Sequence, residues 1–156
     1  MDRASRLQPL GLQRLRALDC LGGNTPRAPG FFELAESDDI FAAFRTHTER
    51  LSRDWASASD PATVALLATA RLLIGDLAAA EVILDHLPAQ PIKLDHGAGK
   101  CLVLPFHALA AVLPWPADLT DTKRWLAGSA EQTALRDWLA AHRDRLRWLE
   151  ADGVYR

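Results

Sequence analysis

The segment Asp95-His96-Gly97-Ala98-Gly99-Lys100-Cys101 places a carboxylate, an imidazole, an ammonium and a thiol side by side. Two glycines next to a lysine raise the question of a phosphate-binding loop. That chemistry needs glycines separated by four residues, then lysine and a hydroxyl residue, so that backbone amides wrap the phosphate and the hydroxyl meets magnesium. Leu94 stands where the first glycine belongs and Cys101 where the hydroxyl belongs. No strand pattern precedes the loop, so nucleotide binding is not expected and the segment reads as an irregular interhelical loop over Ile92 to Lys100.

The histidines are His47, His86, His96, His107 and His142. No two are spaced to aim both imidazoles at one metal from one helical turn, so no metal site is expected. His47 and His142 fall in or beside apolar stripes, where hydrogen-bonded core histidines are expected. His86 and His96 each follow an aspartate, but adjacent residues on a helix point apart. Cys101 and His107 would make a thiolate and its base only in a close, electropositive geometry that their separation does not establish. Asp38-Asp39 is explained by the positive end of a helix dipole. No catalytic set and no cofactor follow from these residues. An enzyme would require a site assembled in three dimensions from Asp95, His96, Lys100 and Cys101.

A different signal sits near the C-terminal end. On a helical wheel Arg136, Arg143 and Arg147 share one flank, and Asp137 and Asp144 occupy the opposing surface. Trp148 projects nearly opposite Leu135 and Leu146, where a polar residue would ordinarily face water. Either it meets the Val154-Tyr155 tail or another element, the favoured reading, or it anchors a partner. Arg136, Arg143, Arg147 and Trp148 are therefore the expected partner-binding residues.

The elements that would position these groups are helices. Leu7, Leu10, Leu12, Leu15, Leu18 and Leu21 have helical spacing, with Pro9 and Gly11 placing the regular part from about Gly11 to the Gly22-Gly23 stop. Residues 22–30 form a loop or hinge. Ser37 is the expected cap of a helix over Asp38 to Trp55 that buries Ile40, Phe44, His47, Thr48, Leu51 and Trp55. Asp60-Pro61 starts another helix that Gly75 ends, and a further helix runs from Leu77 to Leu87 before Pro88. A helix over Leu102 to Leu113, or starting at Pro105, is broken by Pro114-Trp115-Pro116. A short helix from Asp118 to Leu126 precedes Gly128. Ser129 and Gln132 form a capping-box pattern for a last helix with Leu135, Trp138, Leu139, His142, Leu146 and Leu149 on its buried stripe. No alternating strand run stands out.

The Pro61 to Leu87 hairpin resembles a single tetratricopeptide-type unit. Leu67 and Ala68 fall at the family's large-small pair, Gly75-Asp76-Leu77 resembles its turn, and Ala80 and Leu84 fit its second helix. Arg71 and Leu87 depart from the pattern, and there is no second copy at a fixed spacing. The resemblance is local, since an array needs roughly three stacked units.

The chain has 156 residues, 49% hydrophobic and 24% charged, enough apolar material for one core and incompatible with disorder. Eighteen basic against twenty acidic side chains leave no basic excess to track phosphates, so nucleic acid is not expected as a partner. The apolar stretch from Cys101 to Ala117 contains Pro105, Pro114 and Pro116 and reads as core, not as a membrane span. No signal-peptide core follows the start, and Cys20 and Cys101 read as reduced thiols, so a cytoplasmic location is expected. Fifteen arginines against three lysines, with abundant alanine, suggest a GC-rich bacterial genome.

The expected fold is all-α, a compact irregular bundle of about five to seven helices in a single domain over residues 1–156. The expected function is a non-enzymatic protein-binding module whose partner is another protein, with toxin-neutralising immunity proteins as the candidate class. A homo-oligomer is compatible with this reading. The alternative is a helical adaptor or regulatory subunit using the Pro61 to Leu87 hairpin.

Overall fold

A computed structural model of the chain describes residues 2–11, 14–15, 34–57, 60–85, 92–95, 100–103, 105–121 and 129–156. For residues 3–4, 56, 62, 92–95, 100–103 and 129 the backbone alone is described. Helical backbone begins earlier than the Pro9 and Gly11 signals suggest. Helix α1 covers Arg3–Leu7 and a 3-10 turn covers Gln8–Leu10, because proline is tolerated in the first turn of such an element. Leu12, Leu18, Leu21, Cys20 and the expected hinge over 22–30 lie outside the described residues.

Helix α2, Ile40–Leu51, is capped by Asp39 and not by Ser37. The Asp39 carboxylate accepts from the amides of Phe41 at 3.1 Å and Ala42 at 3.0 Å, while the Ser37 hydroxyl donates to the Asp39 carbonyl. A charged acceptor at the positive helix end outcompetes a neutral one. The helix stops at Leu51 and a 3-10 turn at Trp55–Ser57 replaces the expected last turn. At the end of the helix the Ser52 amide and hydroxyl both donate to the Thr48 carbonyl, at 3.0 and 2.6 Å.

Helices α3, Pro61–Leu72, and α4, Ala78–Asp85, form the expected hairpin. Asp60 caps α3 by accepting from the Thr63 amide at 2.8 Å. Gly75 carries the turn at φ +90°, and the amides of Gly75 and Asp76 close it onto the carbonyls of Leu72 and Arg71. Leu87 lies outside the described residues.

The stretch expected to be irregular instead contains a β-hairpin: β1, Ile92–Asp95, pairs antiparallel with β2, Lys100–Val103. Ile92, Leu94, Leu102 and Val103 supply enough β-forming residues in the two segments to close a ladder over so short a span. Helix α5 takes the later of its two expected starts, Pro105–Val112, with proline at its first position. The expected helix over Asp118 to Leu126 is represented by a 3-10 turn at Ala117–Leu119, and residues 122–128 lie outside the described set. Helix α6 is Ser129–His142, and a second hairpin, β3, Trp148–Leu149, with β4, Val154–Tyr155, follows it.

The molecule is mainly helical, with two minor two-stranded sheets among the described residues. Its main core joins Leu72 of α3, Ile83 and Leu84 of α4, Leu109 of α5 and Leu135 and Leu139 of α6, all at most 2% exposed. A second cluster gathers Leu7, Leu10, Leu34, Ala35, Phe44 and Ile74. No helix among the described residues is long and apolar enough to cross a membrane.

Candidate protein-binding surface

Of the four residues expected to meet a partner, Arg136 on α6 and Arg143, the first residue past its end, both face α4. Arg136 pairs with Asp85, and Arg143 Nη1 lies 2.7 Å from Glu81 Oε1. The two acceptors are one helical turn apart, so the arginine flank is a ladder between helices. Gln132 adds to it, its side-chain amide donating to the Leu84 carbonyl in the last turn of α4.

Trp148 is half-buried and packs within the chain. Its ring lies against Gly75, 5.1 Å from the Tyr155 ring and 5.5 Å from the Arg14 guanidinium carbon. Its indole Nε1 donates to Glu150 Oε2 at 2.6 Å. Glu150 also accepts from Arg45, a bond that holds the Arg45 guanidinium above its usual pKa. Arg14 is buried beneath this assembly, between the Trp148 and Phe44 rings, and its Nη2 has no hydrogen-bond partner. Burial pushes the Arg14 pKa down, against the pull of Glu150 and with the help of Arg45. Tyr155 is 3% exposed, its hydroxyl is likewise unpartnered, and burial, followed by Asp76, pushes its pKa up to about 12. Rings stacked on guanidinium faces and a shared carboxylate thus join α2 and the C-terminal hairpin.

Arg147 is placed differently. Its amide donates to the Arg156 carbonyl at 2.8 Å and the Arg156 amide donates back at 3.0 Å, so the two residues face one another one step beyond the Trp148 and Tyr155 pair. The Arg147 guanidinium donates to the carbonyls of Asp144 and Leu146, that of Arg156 to Tyr155 and that of Arg145 to Ala141. All three side chains are exposed and none is paired with a carboxylate among the described residues.

Beside them is a groove of about 320 Å³ lined by Pro114, Pro116, Trp138, His142, Arg145, Leu146 and Arg156. Its floor is ordered by stacking. Trp138 lies 4.6 Å from Trp115 and 4.5 Å from the His142 ring, nearly parallel to the latter at 13°. His142 Nδ1 is 2.7 Å from the Trp138 carbonyl, which fixes the ring as a donor there. Trp115 Nε1 donates to the Leu109 carbonyl at 2.9 Å and holds the Pro114-Trp115-Pro116 turn against the core.

Sequence reasoning assigned Trp138 and His142 to a buried stripe and the two prolines to a helix break. The readable clue was that this stripe outlasts its helix. Leu146 is buried past the end of α6, whereas Leu149, expected in the core, is 39% exposed on β3. The helix ends at His142, so Leu149 no longer follows the helical period.

The residues considered for an assembled enzyme site are brought together only in part. Asp95 and Lys100 are opposite one another in the β1/β2 register, with Cys101 opposite Leu94. His96 lies outside the described residues. His107 is exposed, against Phe106 at 4.4 Å between ring centroids. His47 is half-buried beside Arg50, its Nδ1 3.2 Å from Arg50 Nη2. No group of three or more metal-ligating side chains occurs among the described residues.

No family model, curated protein or solved structure matches this chain.

Proposed function

We propose that the protein is a non-enzymatic protein-binding module that engages its partner through the end of α6 and the C-terminal hairpin. The observation that carries this reading is the groove floored by Trp138 and His142 beside exposed, uncompensated Arg145, Arg147 and Arg156. Tryptophan and arginine are the side chains most enriched where interfaces concentrate their binding energy. Here both are held by a packed helix end and a short hairpin, so little ordering entropy is spent when a partner docks.

Within this class, the reading is a bacterial cytoplasmic protein of the toxin-neutralising immunity type, which acts by covering the active surface of another protein. Occlusion needs a rigid complementary face and no reacting group. Arg136 and Arg143 are engaged with α4 and Trp148 with Gly75 and Tyr155, whereas Arg147 is exposed opposite the groove residue Arg156.

The test is affinity capture from the source cell with the immobilised wild-type chain and with a folded Trp138→Ala, Arg145→Glu variant, followed by identification of what is retained. A protein held by the wild type and lost by the variant is the expected result. Co-expression should then relieve the growth defect caused by that protein if it is a toxin. Equal retention by both chains would move the binding surface elsewhere on the fold.

A further inference from the structure

Seven of the described arginines fall into two groups. Arg45, Arg71, Arg136 and Arg143 each face a carboxylate, from Glu150, Asp76, Asp85 and Glu81 respectively. Among the described residues Arg145, Arg147 and Arg156 meet backbone oxygens alone, although the chain as a whole has more acidic than basic side chains. Arg147 and Arg156 are moreover directly opposed across the hairpin, so their two charges sit on neighbouring strands. Packing accounts for the first group and leaves the second unexplained.

Resting on the protein-binding reading above, we propose that this groove takes an acidic segment of the partner that presents an apolar or aromatic side chain between carboxylates. The side chain enters against Pro114, Pro116 and Trp138, whose flat apolar faces line the groove. Carboxylates on either side meet Arg145 and Arg156, which line the groove, with Arg147 opposite Arg156 in the hairpin; planar guanidiniums suit bidentate carboxylate recognition. Three arginines at one spot, on a chain of net charge -2, fit an acidic peptide better than a nucleic-acid backbone, which needs a continuous basic track.

The test uses the full chain and short synthetic peptides in which one phenylalanine is flanked by glutamates, by glutamines or by lysines. Binding is measured by calorimetry at two salt concentrations and followed at the Trp138 indole N–H resonance. The glutamate peptide should bind saturably and shift that resonance, weakening about tenfold when glutamine replaces glutamate and about tenfold in Arg145→Glu. Arg53→Glu, an exposed arginine remote from α6 in sequence, makes the same change in net charge and should leave binding unaltered. Arg156→Glu serves as the second variant if Arg145→Glu does not fold. Absence of saturable binding, equal binding of the lysine peptide, or tighter binding of a single-stranded oligonucleotide overturns the proposal. A captured partner protein that Arg145→Glu retains as well as the wild type overturns the acidic chemistry while the protein-binding reading stands. Peptide binding with no protein retained by the immobilised chain overturns the protein-binding reading instead, and with it the claim that the acidic segment belongs to a protein.

Discussion

The Trp148 indole occupies the space that a side chain at Gly75 would need: a β-carbon there would fall 2.7 Å from the ring. Gly75 sits at φ +90°, a conformation side-chain-bearing residues adopt at a cost. The turn of the α3/α4 hairpin and the C-terminal hairpin are therefore mutually dependent. Gly75→Ala should cost about 2–4 kcal/mol, from backbone strain plus overpacking. In Gly75→Ala, Trp148→Ala the overpacking part disappears, so the double variant should be more stable than the sum of the single losses by about 1 kcal/mol. Urea unfolding of the four proteins measures that difference, and strict additivity would mean that the ring does not constrain the turn.

Leu139 and Leu149 lie on one expected helical stripe but end in different environments, 2% and 39% exposed. Leu139→Ala should cost about 2–5 kcal/mol through lost transfer energy and a cavity between α6 and the other core helices. Leu149→Ala should stay within about 0.5 kcal/mol of wild type, as expected of an exposed site. Equal shifts in the urea midpoint at both sites would contradict the packing of α6.

How much the sequence discloses depends on the range of the interaction that decides each element. Asp60-Pro61, Gly75 and Ser129 mark helix ends by local chemistry, and the structure places ends there. Asp39 displaced Ser37 as a cap through a competition between neighbours that composition alone does not rank. The β1/β2 and β3/β4 pairings were missed because each strand is at most four residues long, too short for alternation to show. Of the expected Arg136, Arg143 and Arg147 flank, the first two face Asp85 and Glu81 on another helix, while Arg147 follows the hairpin because α6 ends at His142. Arg145 and Arg156 became a candidate site only once the end of α6 and the hairpin register brought them to one groove.

Arg143 and Glu81 are each about half exposed, so their ion pair contributes little in water. Arg143→Glu should destabilise by less than about 1 kcal/mol, and adding Glu81→Arg should restore most of the loss. Raising the salt concentration should shrink the difference between wild type and the single variant. A loss of several kcal/mol that the charge swap does not recover would show that Arg143 acts through packing of its aliphatic stem.

Tyr155 provides the pH test. It is the single tyrosine of the chain, and its hydroxyl is buried without a hydrogen-bond partner. Burial, then the charge of Asp76, raises its pKa from 10.0 to about 12, partly offset by Arg45. The folded chain thus holds this proton more tightly than the unfolded chain does. The resulting stabilisation is complete below the unfolded pKa near 10 and is lost as the pH rises through the folded value near 12. Wild-type urea midpoints should therefore fall more steeply than those of Tyr155→Phe across that window, while the two proteins differ little at neutral pH, because the hydroxyl removed has no partner to orphan. Near-ultraviolet absorbance of the phenolate follows the same titration without ambiguity of assignment. A wild-type phenolate that forms with a midpoint near 10, before any unfolding, would show that Tyr155 is open to water and not packed beneath Trp148.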